Sequence, residues 1–207
     1  TIALFNMFLP ILQSNVKIWN MYRNLLTRGT TFLMNIQETG VPFCKNQLEI
    51  AAVELQEKYN LAMAQIYDHK EVHDFERDKE VKFNPNSVFH LRSLLFDYCG
   101  LPPTGKLTDT GAISTDAEVL TELAYMHPVP AAIMAAKKTS KLLSTYIYKA
   151  QINLDMDSRL RTNFNIHVTT SGRLSSSGKL NLQQLPRDDK TVKKCIRARK
   201  GYKIVGC

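Results

Sequence analysis

The chain has 207 residues and a net charge of +8, with 44% hydrophobic and 22% charged residues, which is the composition of an ordinary globular protein with a sizeable core. No apolar run approaches the ~20 residues that cross a bilayer, and the first residues lack a basic leader and a small-residue cleavage site, so we expect an intracellular protein without a membrane partner. Cys44, Cys99, Cys195 and Cys207 are far apart and lack metal-ligand spacing, which predicts reduced thiols and no zinc site.

The charge is divided unevenly along the chain. Residues 1–136 contain 11 Lys and Arg against 15 Asp and Glu, a net of −4, whereas residues 137–207 contain 16 against 4, a net of +12. A solvated basic face is the ordinary explanation of such a segment. A bias this strong nevertheless favours a polyanionic partner, and nucleic acid above all.

Helical periodicity dominates the first half. A short apolar helix is predicted over residues 1–13, ending near Pro10, and a long helix over 16–39, stopped by Gly40 and Pro42. A second long helix over 45–69 has an apolar stripe, formed by Leu48, Ala51, Ala52, Leu55, Tyr59, Ala62 and Ile66. The short turn between the two long helices predicts antiparallel packing.

Two capped helices follow. Ser87 is predicted to cap a helix over 88–98 that ends at Gly100, and residues 115–118, Thr-Asp-Ala-Glu, match a capping box for a helix that runs to about Tyr125. Free amides at such helix starts bind phosphate, although plain capping explains the same residues. A returning helix covers 128–148, with Lys137, Lys138 and Lys141 near one another on its surface.

The C-terminal part has a different pattern. Residues 161–168 alternate as a strand does, with Phe164, Ile166 and Val168 on one face. A segment rich in hydroxyl and amide side chains follows, with the sequence Thr-Thr-Ser-Gly-Arg-Leu-Ser-Ser-Ser-Gly-Lys-Leu-Asn-Leu-Gln-Gln-Leu-Pro-Arg over 169–187. By composition it is a turn-rich surface loop or an anion-binding surface. Residues 202–207 then resemble an inner strand.

The 169–187 segment closely resembles the signature of family A (Pol I-like) DNA polymerases, in which Thr-Gly-Arg-Leu-Ser-Ser precedes Asn-Leu-Gln-Asn-Ile-Pro and an arginine. The Gln37–Pro42 turn, the Phe83–Ser87 stretch and the Lys137–Tyr146 segment are also similar to that family. Two departures stand out: Leu143 replaces a lysine expected before Ser-Thr-Tyr, and Gln184 replaces an asparagine after an apparent insertion near Gly178.

The resemblance implies a mainly α (α+β) fold, with a long antiparallel helical thumb followed by the first β-strands of a palm. It divides the chain into a trailing helix of a preceding exonuclease-like domain (1–13), the thumb (14–150) and the start of the palm (151–207). The implied partner is primer–template DNA. The residues implied to contact it are Arg173, Ser175, Asn181, Gln184, Arg187, Lys137, Lys141, Asn84, Ser87, Ser114 and Thr115.

The resemblance also implies that the chemistry lies elsewhere. Template-directed nucleotidyl transfer uses two divalent ions held by carboxylates, and in this family the first aspartate would follow Cys207. We therefore expect Mg²⁺ in the complete enzyme, none bound by this chain, and a complementing fragment with the fingers and the rest of the palm. Asp155, Asp157, Asp188 and Asp189 are interpreted as solvated loop carboxylates. The alternative function is a non-enzymatic, thumb-derived DNA-binding accessory module.

Overall fold

Helices make up most of the described chain, residues 1–186 and 189–205 of this computed structural model, which confirms the mainly α fold class. The chain divides into two units, one of residues 1–48 and 149–207 and the other of residues 49–148. Among the described residues, no helix is both long and apolar enough to cross a membrane.

The first unit begins with helical segments. Their bounds are Ile2–Gln13 (α1), Val16–Met21 (α2), a π-helical segment Tyr22–Thr27 and Arg28–Thr39 (α3). Pro10 lies inside α1 and does not end it, and the helix closes when the Ser14 amide donates to the Pro10 carbonyl. Several apolar residues recur at helical spacing over 16–39, but only Leu33 among them is buried.

The strands of the described chain lie in the first unit and form two short antiparallel pairs. Val41–Pro42 (β1) pairs with Arg159–Leu160 (β2), and Asn163–Asn165 (β3) pairs with Ser175–Ser177 (β4), both antiparallel. The 3₁₀-helix Leu182–Gln184 and Thr191–Lys194 (α10) follow. The strand predicted over 161–168 therefore covers only three residues. Residues 202–205 form no strand because no described segment pairs with them, and Gly206 and Cys207 lie outside the described residues.

The second unit is a helical body. Its helices begin with Lys45–Tyr67 (α4) and Lys70–Lys79 (α5). Helix Val88–Arg92 (α6) continues as π-helical Ser93–Tyr98 and is followed by Ala117–Leu123 (α7). Helix Pro128–Lys141 (α8) continues through π-helical Leu142–Ile147 into Tyr148–Asn153 (α9). The predicted helix pair 16–39 and 45–69 stays a prediction, because these helices belong largely to different units.

A buried apolar cluster organises the second unit. Phe75 packs at its centre, edge-on to Phe83 and Tyr98 at centroid separations of 5.9 and 5.6 Å. The fully buried members around it are Ile66, Val72, Leu91, Leu94, Leu95, Leu123, Val129 and Ile133. This core fixes helix α8 against α5 to α7, so the polar face of α8 has a defined direction.

A largely buried carboxylate ties the α5 end of this core together. Glu76 accepts hydrogen bonds from the Tyr67 hydroxyl (2.7 Å) and the Phe83 amide (2.7 Å), and it pairs with Lys82 (2.8 Å). Burial opposes ionisation of Glu76, but the hydrogen bonds from Lys82, Phe83 and Tyr67 together lower its pKa below the usual value. Burial and the Glu76 charge raise the pKa of Tyr67 to about 12.

Candidate nucleic-acid interface

A cleft of about 650 Å³ lies along helix α8 and the segment that follows it in the second unit. Its polar lining consists of Asn86, Lys137, Lys138, Ser140, Lys141, Ser144 and Thr145, and its apolar lining of Ala117, Leu120 and Met134. Three ammonium groups, three hydroxyls and an amide therefore face one concave surface. Such a surface offers hydrogen-bond donors to an anionic ligand over an apolar floor.

Helical spacing produces this arrangement. His127 caps α8, with its Nδ1 atom accepting from the Val129 amide at 3.2 Å, and Pro128 occupies the first helical position, where a missing N–H costs nothing. From there Lys137, Lys141 and Ser144 recur at steps of four and three and share a face. The opposite face is buried and consists of Ile133, Ala136, Leu142, Leu143, Tyr146 and Ile147.

The lysines of the cleft are not neutralised by carboxylates. Within the described part of the chain, no ion pair involves Lys137, Lys138 or Lys141. Lys137 is half-buried, and burial lowers the pKa of its ammonium group below the ordinary value. An unpaired, partly desolvated cation gains more from an anionic ligand than a solvated one does. Leu143, which replaces the lysine expected from the family pattern, is buried, so its side chain packs in the core.

The other predicted contacts in this unit lie around the cleft or beneath the surface. The Asn84 side chain is exposed and accepts from the Asn86 amide (2.9 Å), while the Ser87 hydroxyl accepts from the His90 amide (3.4 Å) as the predicted cap. Ser114 and Thr115 are buried, each only 5% exposed. Asp116 caps α7 in place of the Thr115 that the capping-box pattern predicts, accepting from the amides of residues 118 and 119.

A hairpin in the first unit presents the signature arginine. Strands β3 and β4 enclose residues 166–174, where the Gly172 amide donates to the Thr169 carbonyl and Gly172 has φ +70°, a conformation that glycine adopts without strain. Arg173 follows this turn and is exposed, and no described residue forms an ion pair with it. Its guanidinium is therefore available to a phosphate or a base edge.

The remaining predicted residues of the signature have mixed environments. The Ser175 hydroxyl is buried, and no described residue gives it a hydrogen-bond partner. Asn181 caps the 3₁₀-helix with its carbonyl oxygen, accepting from the Gln183 amide at 3.0 Å, which leaves its amide group for a ligand. Gln184 is exposed, and Arg187 lies outside the described residues. The structure thus brings Arg173, Ser175, Asn181 and Gln184 onto one hairpin and its flank.

Thr162 and Arg161 fasten the base of this hairpin. The buried Thr162 hydroxyl lies 2.8 Å from both the Ser177 and Leu180 carbonyl oxygens. The Arg161 guanidinium donates to the Glu38 carbonyl (2.7 Å). Together with two hydrogen bonds from Arg159 to the carbonyls of residues 39 and 40, this contact satisfies the C-terminal end of α3. The hairpin is thereby held to a helix end.

The same arginine engages the acidic side chains that could be mistaken for metal ligands. Arg161 pairs with Asp155 (2.7 Å) and Asp157 (2.8 Å), and Lys179 adds a contact to Asp155 (3.4 Å). Arg161 lowers the pKa of both carboxyl groups. Asp189 accepts from the Thr191 amide (2.8 Å), and Asp188 lies outside the described residues. The described carboxylates of this unit therefore do not fit a two-metal site for nucleotidyl transfer.

Sequence reasoning omitted several residues that line the cleft. Asn86 donates to the Ser140 hydroxyl at 3.3 Å, and Ser144 and Thr145 share the lining. The signal was present in the helical spacing, since residues 137, 138, 141, 144 and 145 lie on one face. Asn86 could not be found this way, because it lies more than 50 residues away in sequence.

Comparison with known proteins decides the family. The model of DNA polymerase family A matches residues 45–207. The chain belongs to this family. It is 49% identical over 205 residues to the DNA polymerase of Escherichia phage T5 and 33% identical over 176 residues to the thermostable DNA polymerase I of Thermus aquaticus. These alignments cover 99% and 84% of the chain.

A solved structure of this family is similar in fold. The POL domain of Pol1 from M. smegmatis, in complex with DNA primer-template and dNTP, matches with a TM-score of 0.66 and 26% identity over 83% of the chain. The chain spans only part of these proteins: 24% of the phage T5 polymerase, 20% of the Thermus polymerase and 29% of the M. smegmatis chain.

Proposed function

We propose that this chain is the duplex-gripping part of a template-directed DNA polymerase, which transfers nucleotides to a primer 3′ end in replication or repair. The observation that carries the proposal is the row of lysines on α8, which no described carboxylate pairs with and which lines a cleft with hydroxyl and amide groups. Membership of the polymerase family and the likeness to a polymerase domain solved with primer-template DNA support it.

The chemistry of the cleft favours contacts to the DNA backbone. Lysine ammonium groups and serine hydroxyls bind phosphate and sugar oxygens, which are the same in every sequence. A polymerase must hold each duplex that it makes, so recognition without sequence preference suits this function. The net charge of +12 in residues 137–207 adds a long-range attraction for DNA.

Arg173 has a second, more specific role in this proposal. Its exposed guanidinium offers five donors in a planar fork, at the turn of a hairpin that Thr162 and Arg161 hold in place. We assign to it a contact in the minor groove of the primer–template duplex, with Asn181, Gln184 and Arg187 as backbone contacts beside it. Ser175, whose hydroxyl is buried, supports the hairpin from within and contacts DNA only if the strand shifts.

The domain roles follow from the same proposal. Residues 14–150 act as the thumb, residues 151–207 as the start of the palm, and residues 1–13 as a helix that continues a preceding domain. Magnesium ions of the complete, intracellular enzyme are held by carboxylates outside these 207 residues, as are the fingers.

Equilibrium binding of a fluorescent primer–template duplex tests the proposal. We expect anisotropy to rise with saturable, sequence-independent binding, and log K to fall with log salt with a slope of about −0.9 for each phosphate neutralised. An unrelated duplex of equal length is the control and should bind equally. Absence of binding at low salt, or binding without salt dependence, would contradict the proposed function.

A DNA-binding accessory module without catalytic function is the second candidate, favoured by the engagement of Asp155 and Asp157 with Arg161. The two candidates separate in a primer-extension assay with a polypeptide that carries the remaining palm and the fingers. Extension restored by mixing the two polypeptides supports the polymerase function. DNA binding without any restored extension supports the accessory module.

A further inference from the structure

Three side chains with metal-binding atoms meet in the second unit, away from the cleft lysines. They are His69, Glu71 and His127, and their ligand atoms all lie within 4.8 Å of one another. The two imidazole rings are 5.3 Å apart between centroids. Each residue is half-buried. This cluster was not predicted from the sequence, because His127 is 58 positions from His69 in the chain.

The fold positions the three residues through the core of the unit. His69 precedes α5, Glu71 lies in the first turn of that helix, and His127 precedes α8. Val72 and Val129, next to the cluster on the two helices, are both fully buried. The backbone on each side is therefore fixed by packing, and only the side chains need to adjust to a ligand.

Two imidazoles and one carboxylate form the ligand set of zinc and its neighbours among the divalent transition metals. Zn–N and Zn–O bonds of about 2.0–2.2 Å place tetrahedral ligands about 3.3–3.5 Å apart, so the atoms must close by at most about 1.5 Å. We propose that His69, Glu71 and His127 bind a divalent transition-metal ion such as Zn²⁺, with three protein ligands and a fourth position open to water.

The surroundings supply room and charge for the ion. A cavity of about 570 Å³ adjoins the cluster and is lined by Gln65, Asp68, His69, Pro128, Ala131 and Ala132. The partial positive charges at the starts of α5 and α8 oppose a cation, and Glu71 and Asp68 offset them with two negative charges.

Metal binding changes the capping of α8. The His127 Nδ1 atom accepts from the Val129 amide at 3.2 Å, and a neutral imidazole has only one nitrogen with a free lone pair. Coordination through either nitrogen therefore ends this capping bond. The substitution His127→Asn separates the two roles, because asparagine is among the best capping residues and its amide is a weak ligand for zinc.

Titration of the untagged protein with Zn²⁺ tests the proposal, with calorimetry and thermal unfolding as the two readouts. We expect one ion per chain and a melting temperature that rises with the metal concentration, since a ligand that binds only the folded state stabilises it. Co²⁺ in place of Zn²⁺ should give the visible absorption of a tetrahedral or five-coordinate ion. Mg²⁺ at the same concentration should have no effect, because it prefers oxygen ligands.

Matched variants locate the site. His127→Asn and His69→Ala should each weaken Zn²⁺ binding by at least about 100-fold. Losing a residue that only hydrogen-bonds to a metal ligand already lowers metal affinity by about 10–100-fold. His167→Ala in the first unit and His73→Ala on α5 should leave the affinity within about threefold. Helical circular dichroism and metal-free melting temperatures confirm that each variant is folded.

The proposal is overturned by the absence of saturable one-to-one binding. It is also overturned if folded His127→Asn and His69→Ala proteins both bind zinc as the parent does, or if His167→Ala or His73→Ala removes binding. None of these measurements involves DNA, so they stand apart from the test of the polymerase function.

Discussion

Removal of the cleft lysines should weaken DNA binding by a calculable amount. The change is Lys137→Ala, Lys138→Ala and Lys141→Ala in one protein. All three line the cleft without a carboxylate partner among the described residues, so each can neutralise one phosphate. Because each neutralised phosphate contributes about −0.9 to the slope of log K against log salt, the triple variant should have a slope less steep by up to about 2.7.

The same counterion release gives the loss of affinity. At 0.1 M salt, each contact is worth about 0.9 decade relative to 1 M, so three contacts amount to about 2.7 decades, or roughly 500-fold. Since tenfold corresponds to about 1.4 kcal/mol, the loss in binding free energy is about 3.8 kcal/mol. This is an upper limit, reached only if all three ammonium groups contact phosphate together.

The assay is fluorescence anisotropy with a primer–template duplex between 50 and 200 mM salt, conditions over which the slope is readily measured. The control variant is Lys58→Ala, Lys70→Ala and Lys79→Ala, which removes the same charge from exposed lysines outside the cleft. Its slope should stay close to that of the parent. Equal changes of slope in the two triple variants would refute the placement of phosphates in the cleft.

Three further predictions concern single features. Arg173→Ala should cost about 1–3 kcal/mol of duplex-binding free energy, and Arg173→Lys should not restore the affinity because the planar fork is lost. If a folded Arg173→Ala protein binds the duplex as tightly as the parent, the role assigned to Arg173 is wrong. Glu76→Gln should lower the free energy of unfolding by about 1–2 kcal/mol in denaturant titrations, since it weakens hydrogen bonds to Tyr67 and Phe83. Because the pKa of Glu76 is lowered in the folded state, the Glu76 carboxylate stabilises the folded protein above about pH 4.5, and this stabilisation is lost as the pH falls through the pKa of the folded state. An acid-unfolding curve that Glu76→Gln leaves unchanged would contradict this account. Finally, this chain alone should extend no primer with Mg²⁺ or Mn²⁺, because Asp155 and Asp157 are engaged by Arg161; robust extension would show that this interpretation of the carboxylates is wrong.

Local patterns predicted the helices well. The stripe on α4 is buried at Leu48, Leu55 and Ile66, and Ser87 and Gly100 mark the limits of the 88–98 helix. These features follow from helical periodicity and from capping, which act over a few residues.

Features that depend on distant partners were predicted less well. The capping box suggested Thr115, but Asp116 caps α7, because Asp is also a favoured capping residue and Thr115 is buried. The strand expected over 161–168 shrinks to the three residues that pair with β4. Alternation of side chains indicates a strand but does not show how much of it finds a partner.

The site itself was partly predictable. Lys137, Lys141 and Arg173 were found through family motifs and lie exposed or lining the cleft. Asn86 joins the cleft only through tertiary packing, and the ionic partners of Asp155 and Asp157 could not be deduced from their sequence neighbours alone.

Photo-crosslinking of a primer–template duplex, with photoreactive groups on its backbone and in its minor groove, tests the central claim most directly. Mass spectrometry then locates the attached peptides in each unit. We predict crosslinks within residues 137–145 of the second unit and within residues 166–184 of the first, and their loss in the corresponding Lys and Arg173 variants. Crosslinks confined to other surfaces, such as the exposed lysines of α4 and α5, would contradict the claim that this chain grips duplex DNA through the cleft and the hairpin.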